Sequence, residues 1–537
     1  CIETGENGLA LAVGWPAQWQ AVFACEDEDL HVQCGQQTLE TVLYGRDSGA
    51  AGIDRTGEQI RSPRIVLLFW DRGDLRAAEA CMRARNLFRR YMLRYNMPRG
   101  EDGKPPVKNL AACSSHQFRE MLEATTRNQK QFIDGYVDHN LGLDYWWMDA
   151  GWYPCRGKDG KRDWTLTGSW YPDPERFPNG LAPIGKACDE AGMDLLVWFE
   201  PERIRPGLKL AVEHPEWMLK RNDPEVENML LDLTNPDCFQ WICETFVKLF
   251  NESGIKCYRQ DFNFPPLRFW QENDTQDRQG STENLYIQGY LRFWDGMLES
   301  NPGLWIDSCA SGGRRNDLET MRRSIPLHPT DFGYGYPFVG QAFVRTLDEW
   351  LPFHKIATVD WSREDDTYPS FREYMTGGAV SREPDYFTLA ATLSLYQSPA
   401  VSDEPTDEQK LFGRIWQRAS RIRENCDYYP LSETSMSAES FYVNQYYSPE
   451  SGKGYIQAIR HTQCPVPVYK AMPRDIEADC AYTFEDMFTG EVRTIPGATL
   501  LENGFDIALE AGRRHMVLRK GGPLSRNCPG TCCTSKE

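Results

Sequence analysis

Pro236-Asp-Cys-Phe-Gln-Trp-Ile-Cys-Glu-Thr-Phe-Val-Lys-Leu-Phe250-Asn-Glu-Ser-Gly-Ile255-Lys-Cys-Tyr258-Arg-Gln-Asp261 decides the fold class. A helix-patterned stretch, Pro236–Phe250, runs into a short apolar strand, Ile255–Tyr258, and the strand leads to a carboxylate. The same unit recurs on both sides. Strand-like segments are predicted at Leu143–Met148, Asp194–Phe199 and Leu304–Ile306, and helical patterns at Ser115–Tyr136 and Asn284–Leu298. Repeated strand–helix order implies a parallel sheet covered by helices. An open sheet and a closed barrel both satisfy that order. The acidic residues tip the balance: Asp149, Glu200, Asp261 and Asp307 each fall at or just past a strand's C-terminal end. In a (β/α)8 TIM barrel those ends converge on one face, where barrel enzymes do chemistry.

Working outward, the barrel is expected over 107–430. The first 106 residues read as a partial N-terminal β-sandwich domain, with apolar runs at Gly8–Trp15 and Ile65–Trp70, a linking helix over Leu75–Leu93 and a turn-rich linker at Arg99–Pro106. Residues 431–520 read as a small C-terminal antiparallel β-sandwich, with strands at Ser440–Tyr447, Gly454–Ile459, Ala481–Asp486, Phe505–Leu509 and His515–Leu518. Residues 521–537 read as a disordered tail.

The chain has 537 residues and a formal net charge of −19. That charge repels anionic polymers, so nucleic acid is not an expected partner. No membrane-length apolar run is visible. The first residue is Cys1, and the compartment is undetermined. The 17 Cys are scattered, many in apolar segments such as those of Cys188, Cys238 and Cys243, and read as buried thiols. The tail group Cys528, Cys532 and Cys533 lacks a complete metal-ligand set. His328 and His354 have no neighbours at metal-ligand spacing, so neither metal nor organic cofactor is expected. No Gly-x-Ser-x-Gly elbow is present.

Four acidic strand ends suit glycoside hydrolysis, which needs two carboxyl groups flanking the bond. In Cys257-Tyr-Arg-Gln-Asp-Phe-Asn263, Arg259 is expected to keep Asp261 ionised. From this segment alone a reactive carboxylate and a capping Asp at a strand–loop junction are equally good readings. The stretch from Asp307 to Asp317 carries Gly312 and Gly313, which let backbone approach a ligand closely.

Several motifs together resemble glycoside hydrolase family 36, of the α-galactosidase clan. They are Gly14-Trp15, Arg61-Ser-Pro63, Trp147-Met-Asp-Ala-Gly-Trp152, Trp170-Tyr-Pro172 to Gly180, Trp198-Phe-Glu-Pro-Glu202, Asp232 with Asn235-Pro236, Tyr258 to Asn263, and Ser308 to Asp317. The resemblance implies a retaining exo-α-glycosidase acting on terminal α-galactosyl-type residues of an oligosaccharide or glycoconjugate. It implies Asp261 as nucleophile and, counting forward without a gap, Asp331 as general acid/base. Asp317 is the second choice for the acid, read as a supporting residue held by an Arg. Asp149, Trp198, Glu200, Arg259, Asn263, Cys309, Ser311, Gly312, Arg315 and Asp317 are implied substrate-site residues. Family members are often oligomers, so a homo-oligomer belongs to the same expectation.

Departures from the family pattern are expected to lie in the sugar-recognition shell. The family's second strand-end Asp, which with the first holds the 4- and 6-hydroxyls, is Ala150 here. The family Lys is Arg259, its Trp is Gln260, and an Arg aligns with Val226. Losing one such carboxylate costs about 1–3 kcal/mol on a normal galactoside. The expected alternatives are α-linked galactosamine or N-acetylgalactosamine as glycone, and a non-catalytic carbohydrate-binding barrel.

Overall fold

The helix–strand unit that opens the sequence argument forms as its residues dictate. Asn235 caps the helix Pro236–Ser253 by accepting from the backbone N–H of Asp237 at 3.0 Å and Cys238 at 3.1 Å. Pro236 occupies the first turn, where its missing N–H costs nothing. Gly254 ends the helix at φ +70°, a conformation that glycine adopts without penalty. The chain then enters the strand Ile255–Gln260, which carries Asp261 at its exit.

The computed structural model describes residues 2–4, 7–26, 29–41, 59–73, 77–108, 111–115, 118–138, 140, 143–219, 221–223, 226–328, 331, 337–352, 394–395, 407–423, 425–461 and 463–521. His354 and the cysteines of the tail lie outside the described residues.

Six parallel strands form the central sheet. In spatial order they are Trp305–Ser308, Ile255–Gln260, Asp194–Phe199, Tyr145–Met148, Ala111–Cys113 and Ser394–Leu395. Read from Ala111–Cys113 to Trp305–Ser308, five of them follow sequence order, and the last in sequence, Ser394–Leu395, lies beside Ala111–Cys113. A parallel bridge from Asp307 to Ile325 adds the start of a further stave beyond Trp305–Ser308. This is the order of barrel staves, although the described residues do not trace closure.

Both faces of the sheet are dry. One side packs Tyr145, Trp147, Leu196, Cys257, Ile325 and Leu327 against one another, as facing staves do. The other packs Trp146, Met148, Leu195, Val197 and Tyr258 against the helices Thr126–Asp138, Ala182–Glu190, Pro236–Ser253 and Ser281–Ser300. Burial on both faces explains why these strands read as unbroken apolar runs.

One expected helix starts late. Ser115–Tyr136 reads as helical, but the α-helix is Thr126–Asp138. Arg119, Glu120 and Met121 have φ of 54°, 55° and 58°, so the chain makes a left-handed turn there. Such a turn cannot continue a right-handed helix.

The N-terminal residues form a three-stranded antiparallel sheet, Ile2–Thr4, Asn7–Gly14 and Arg64–Asp71, and a separate hairpin, Trp19–Glu26 with Asp29–Gln36. Ala10 and Val66 pack with Leu318 and Met321, just past the Gly312-Gly313 loop. A Cβ on Gly14 would come within 2.6 Å of Leu318 Cβ, so only glycine allows this approach.

At the C-terminal end, six antiparallel strands run in the order Asp427–Pro430, Phe441–Ser448, Lys453–Arg460, Arg514–Lys520, Ala481–Asp486 and Val492–Pro496. A two-stranded ribbon, Val468–Ala471 with Phe505–Ala508, packs on the same apolar cluster as one face of this sheet. The sheet is tied to the helix Pro337–Asp348 by Arg345. Its guanidinium donates to the carbonyls of Ser432, Glu433 and Val443 at 2.6–2.9 Å and to Asn444 Oδ1 at 2.8 Å.

Candidate active site

Asp261 leaves its strand with its backbone N–H bonded to Phe199 O at 2.8 Å. Its carboxylate takes three N–H donors. Phe262 N lies 2.7 Å and Ser311 N 3.0 Å from Oδ1, and Trp198 Nε1 lies 3.0 Å from Oδ2. An ionised carboxylate only accepts hydrogen bonds, so this donor set suits it. Oδ2 receives a single bond, which leaves a lone pair for chemistry.

The donors are themselves held. Ser311 sits at φ +46° and Gly312 at φ +82°. Ala310 N donates to Gly312 O and Cys309 N to Gln260 O, each at 2.8 Å. Ser311 Oγ donates to Asn263 Oδ1 at 2.8 Å, and Asn263 donates to Glu200 through its backbone N at 2.6 Å and its Nδ2 at 3.2 Å. Glu200 also accepts from Arg203 Nη2 at 2.6 Å. Glu200 is fully buried and braces the Asn263 loop. Burial pushes its carboxyl up to about 7; Arg203 opposes that and Asp261 adds to it.

Arg259 is not bonded to Asp261. Its Nη1 pairs with Asp307 Oδ2 at 2.5 Å, and its guanidinium lies 4.4 Å from the centre of the Trp147 ring. Asp307, the third residue of its four-residue strand, also accepts Leu327 N at 2.8 Å. Asp307 therefore anchors Arg259. Burial weighs most on the Arg259 guanidinium, and it is opposed first by Asp307 and then by Cys309, Asp261 and Asp149, so its charge is shared among several groups of the mouth.

Asp149 is buried at the exit of Tyr145–Met148 and accepts Ala150 N at 2.6 Å. Burial raises its carboxyl to about 7, and the neighbouring carboxylate of Glu120 adds to the rise. Cys309 is buried. Its thiol is pushed up by burial first; Arg259 opposes this, and the charges of both Asp261 and Asp331 add to it. The side chain of Asp331 is 43% exposed, and its Oδ1 lies 3.0 Å from Nε2 of the buried His328.

Two predicted substrate residues have other duties. Arg315 is buried, and it donates to Glu202 through Nη1 at 2.6 Å and Nη2 at 3.1 Å, between the rings of Phe262 and Tyr290. Asp317 is not held by an Arg among the described residues. It accepts Glu319 N at 2.7 Å and, weakly, Thr320 Oγ1 at 3.4 Å, and so caps a turn. Two departures also fall outside the sugar shell. Gln260 faces the helix layer, accepting from Tyr258 Oη at 2.7 Å and donating to Glu202 at 2.8 Å. Val226 packs on the main apolar core.

Sequence reasoning missed four supporting residues: Glu120, Glu202, Arg203 and His328. Arg203 lies three residues after Glu200, and His328 three before Asp331. That spacing was the available signal for both. Near the Asp261 loop, a cleft of about 280 Å³ is lined by Pro16, Ala17, Phe262, Phe264, Trp270 and Arg314, among others. The sole metal-compatible grouping among the described residues is Glu477, Asp479 and Cys480, outside this site. No described helix is long and apolar enough to cross a membrane.

Residues 122–331 match the Melibiase family model. An α-galactosidase of Escherichia coli is 31% identical over 199 residues, covering 36% of this chain and 26% of that protein. The α-galactosidase AgaA of Geobacillus stearothermophilus is 25% identical over 268 residues, covering 49% of this chain and 34% of the relative. These alignments thus span about a quarter to a third of the relatives' length. The crystal structure of AgaA, a family 36 enzyme, superposes with a TM-score of 0.73 at 15% identity, covering 96% of this chain and 67% of that one. At that identity the likeness shows the fold.

Proposed function

We propose, from the premise that this chain is α-galactosidase-like and belongs with glycoside hydrolase family 36, that it hydrolyses terminal α-galactosyl-type residues with retention of configuration. The observation that carries the reading is Asp261 at a strand exit, oriented by three N–H donors with one Oδ2 lone pair unused.

In this reading Asp261 Oδ2 attacks the anomeric carbon as the leaving oxygen takes a proton from Asp331. A glycosyl–enzyme ester forms. Asp331 then removes a proton from water, which attacks the same carbon and frees Asp261. The two carboxyls are expected about 5–5.5 Å apart. The thiol of Cys309 feels both charges, which supports their sharing one mouth. The exposure of Asp331 gives the second step its water. The stave order supports a closed eight-stranded barrel as the scaffold.

Complexes of AgaA variants with stachyose and raffinose support an oligosaccharide substrate here. Ala150 beside Asp149 favours a second reading, galactosamine or N-acetylgalactosamine as glycone, because the strand end offers one carboxylate where the family pattern has two. The test is a panel of aryl α-glycosides of the three sugars, with the product anomer followed by NMR. Initial release of the α-anomer is expected, and initial β-anomer would rule out double displacement.

A further inference from the structure

Resting on the glycosidase reading above, we infer that Glu120 is a glycone-recognition residue, carried beside Asp149 by the left-handed turn at 119–121 to bind a hydroxyl of a neutral sugar.

The turn is held in an unfavourable conformation. Three consecutive non-glycine residues, Arg119, Glu120 and Met121, lie at positive φ. A residue with a Cβ is disfavoured in that region. Specific contacts offset that cost. Glu120 N donates to Ser115 O at 2.9 Å and Glu123 N to Phe118 O at 3.0 Å. The buried guanidinium of Arg176 spans two loops, donating to Met121 O at 2.7 Å, Gly151 O at 2.6 Å and Tyr153 O at 3.0 Å. Asp173 orients Arg176 through a 2.8 Å contact with Nε.

Gly151 completes the arrangement. It follows Asp149-Ala150 at φ +97°, and a Cβ there would lie 2.4 Å from Glu120 O. Glycine at 151 thus lets the Glu120 backbone rest directly on the strand exit that bears Asp149.

The side chains follow from this placement. Glu120 is partly exposed and accepts Ser115 Oγ at 2.6 Å on Oε2. After burial, Glu120 is the strongest influence on Asp149, which also feels Arg259 and Asp261. A carboxylate accepts hydrogen bonds, and a carboxyl that holds its proton also donates one. A sugar hydroxyl, itself donor and acceptor, matches such a pair. Ala150 supplies no polar group at this point, so Glu120 is the second acid facing the glycone.

The test uses the full chain. Glu120→Gln and Gly151→Ala are compared with the parent on 4-nitrophenyl α-galactoside and its monodeoxy analogues, together with calorimetric binding of D-galactose. Both variants are expected to lose about 10- to 100-fold in kcat/KM on the parent glycoside. They are expected to match the parent protein on the analogue lacking the contacted hydroxyl. Unchanged kcat/KM and galactose affinity in Glu120→Gln, or an equal loss on every deoxy analogue, would overturn the inference. If the parent turns over no α-glycoside, the glycosidase reading fails. Galactose binding weakened by Glu120→Gln would then still uphold Glu120 as a recognition residue, and absence of galactose binding by the parent would overturn it.

Discussion

Asp261 and Asp331 occupy opposite kinds of surroundings. The first is buried, takes three N–H donors, and is braced through Ser311, Asn263 and Glu200 to Arg203. The second is 43% exposed and is oriented by His328. A group that attacks carbon must be fixed before the event, because misplacement is penalised steeply. A group that exchanges protons with a leaving group and then with water needs solvent access and a second protonation state. The contrast therefore follows the division of labour proposed for the two carboxylates.

The most severe way to break the comparison is Asp261→Asn, which keeps the shape but removes the proposed nucleophile. Loss of kcat by at least about 10⁴-fold is expected on every substrate. Next, Asp331→Ala is expected to cost about 10²- to 10⁴-fold on alkyl glycosides and far less on aryl glycosides with good leaving groups. Equal losses on both substrates would remove Asp331 from the acid role. Trp198→Phe keeps the ring stacked on Tyr153 but deletes one donor to Asp261. A hydrogen bond to a charged group is worth about 1.5–3 kcal/mol, so a kcat fall of roughly 10- to 100-fold with little change in KM is expected. His328→Gln is expected to cost less, about 10-fold, and to shift one limb of the kcat/KM pH profile without moving the product anomer.

The smallest effect sharpens the buried side through stability. The carboxyl of Glu200 is raised to about 7 when folded, whereas an unfolded Glu titrates near about 4.3. Between those values the folded state holds a proton that the unfolded state has released. The contribution of Glu200 is full below about pH 4.3 and is lost as pH rises towards 7. Thermal melts from about pH 4.5 to about pH 7.5 should show a falling Tm whose slope is reduced in Glu200→Gln. A variant with an unchanged slope would assign the pH dependence to other groups.

Much of the scaffold was legible because the two structural periods leave distinct marks. Short apolar runs such as Asp194–Phe199 and Ile255–Tyr258, set between helical patterns, read as staves buried on both faces. Asp149, Glu200 and Asp261 at their exits followed directly. What the residues did not disclose was partner choice across long separations. Arg315 finds Glu202, 113 positions away, instead of Asp317 two positions on. Gln260 belongs to the helix layer because it shares a strand face with Tyr258, whereas its neighbours Arg259 and Asp261 face the other way. The late start of Thr126–Asp138 was hidden because residues 119–121 are ordinary in composition, and their left-handed turn depends on Arg176 and Gly151 from other segments.

Arg345 gives the C-terminal sheet a bearing on chemistry that it never touches. The helix that follows Asp331 in the chain is bolted through this one guanidinium to Ser432, Glu433, Val443 and Asn444. The sheet works as a foundation: it holds the helix Pro337–Asp348, whereas Asp261 is moored separately at the exit of a parallel strand.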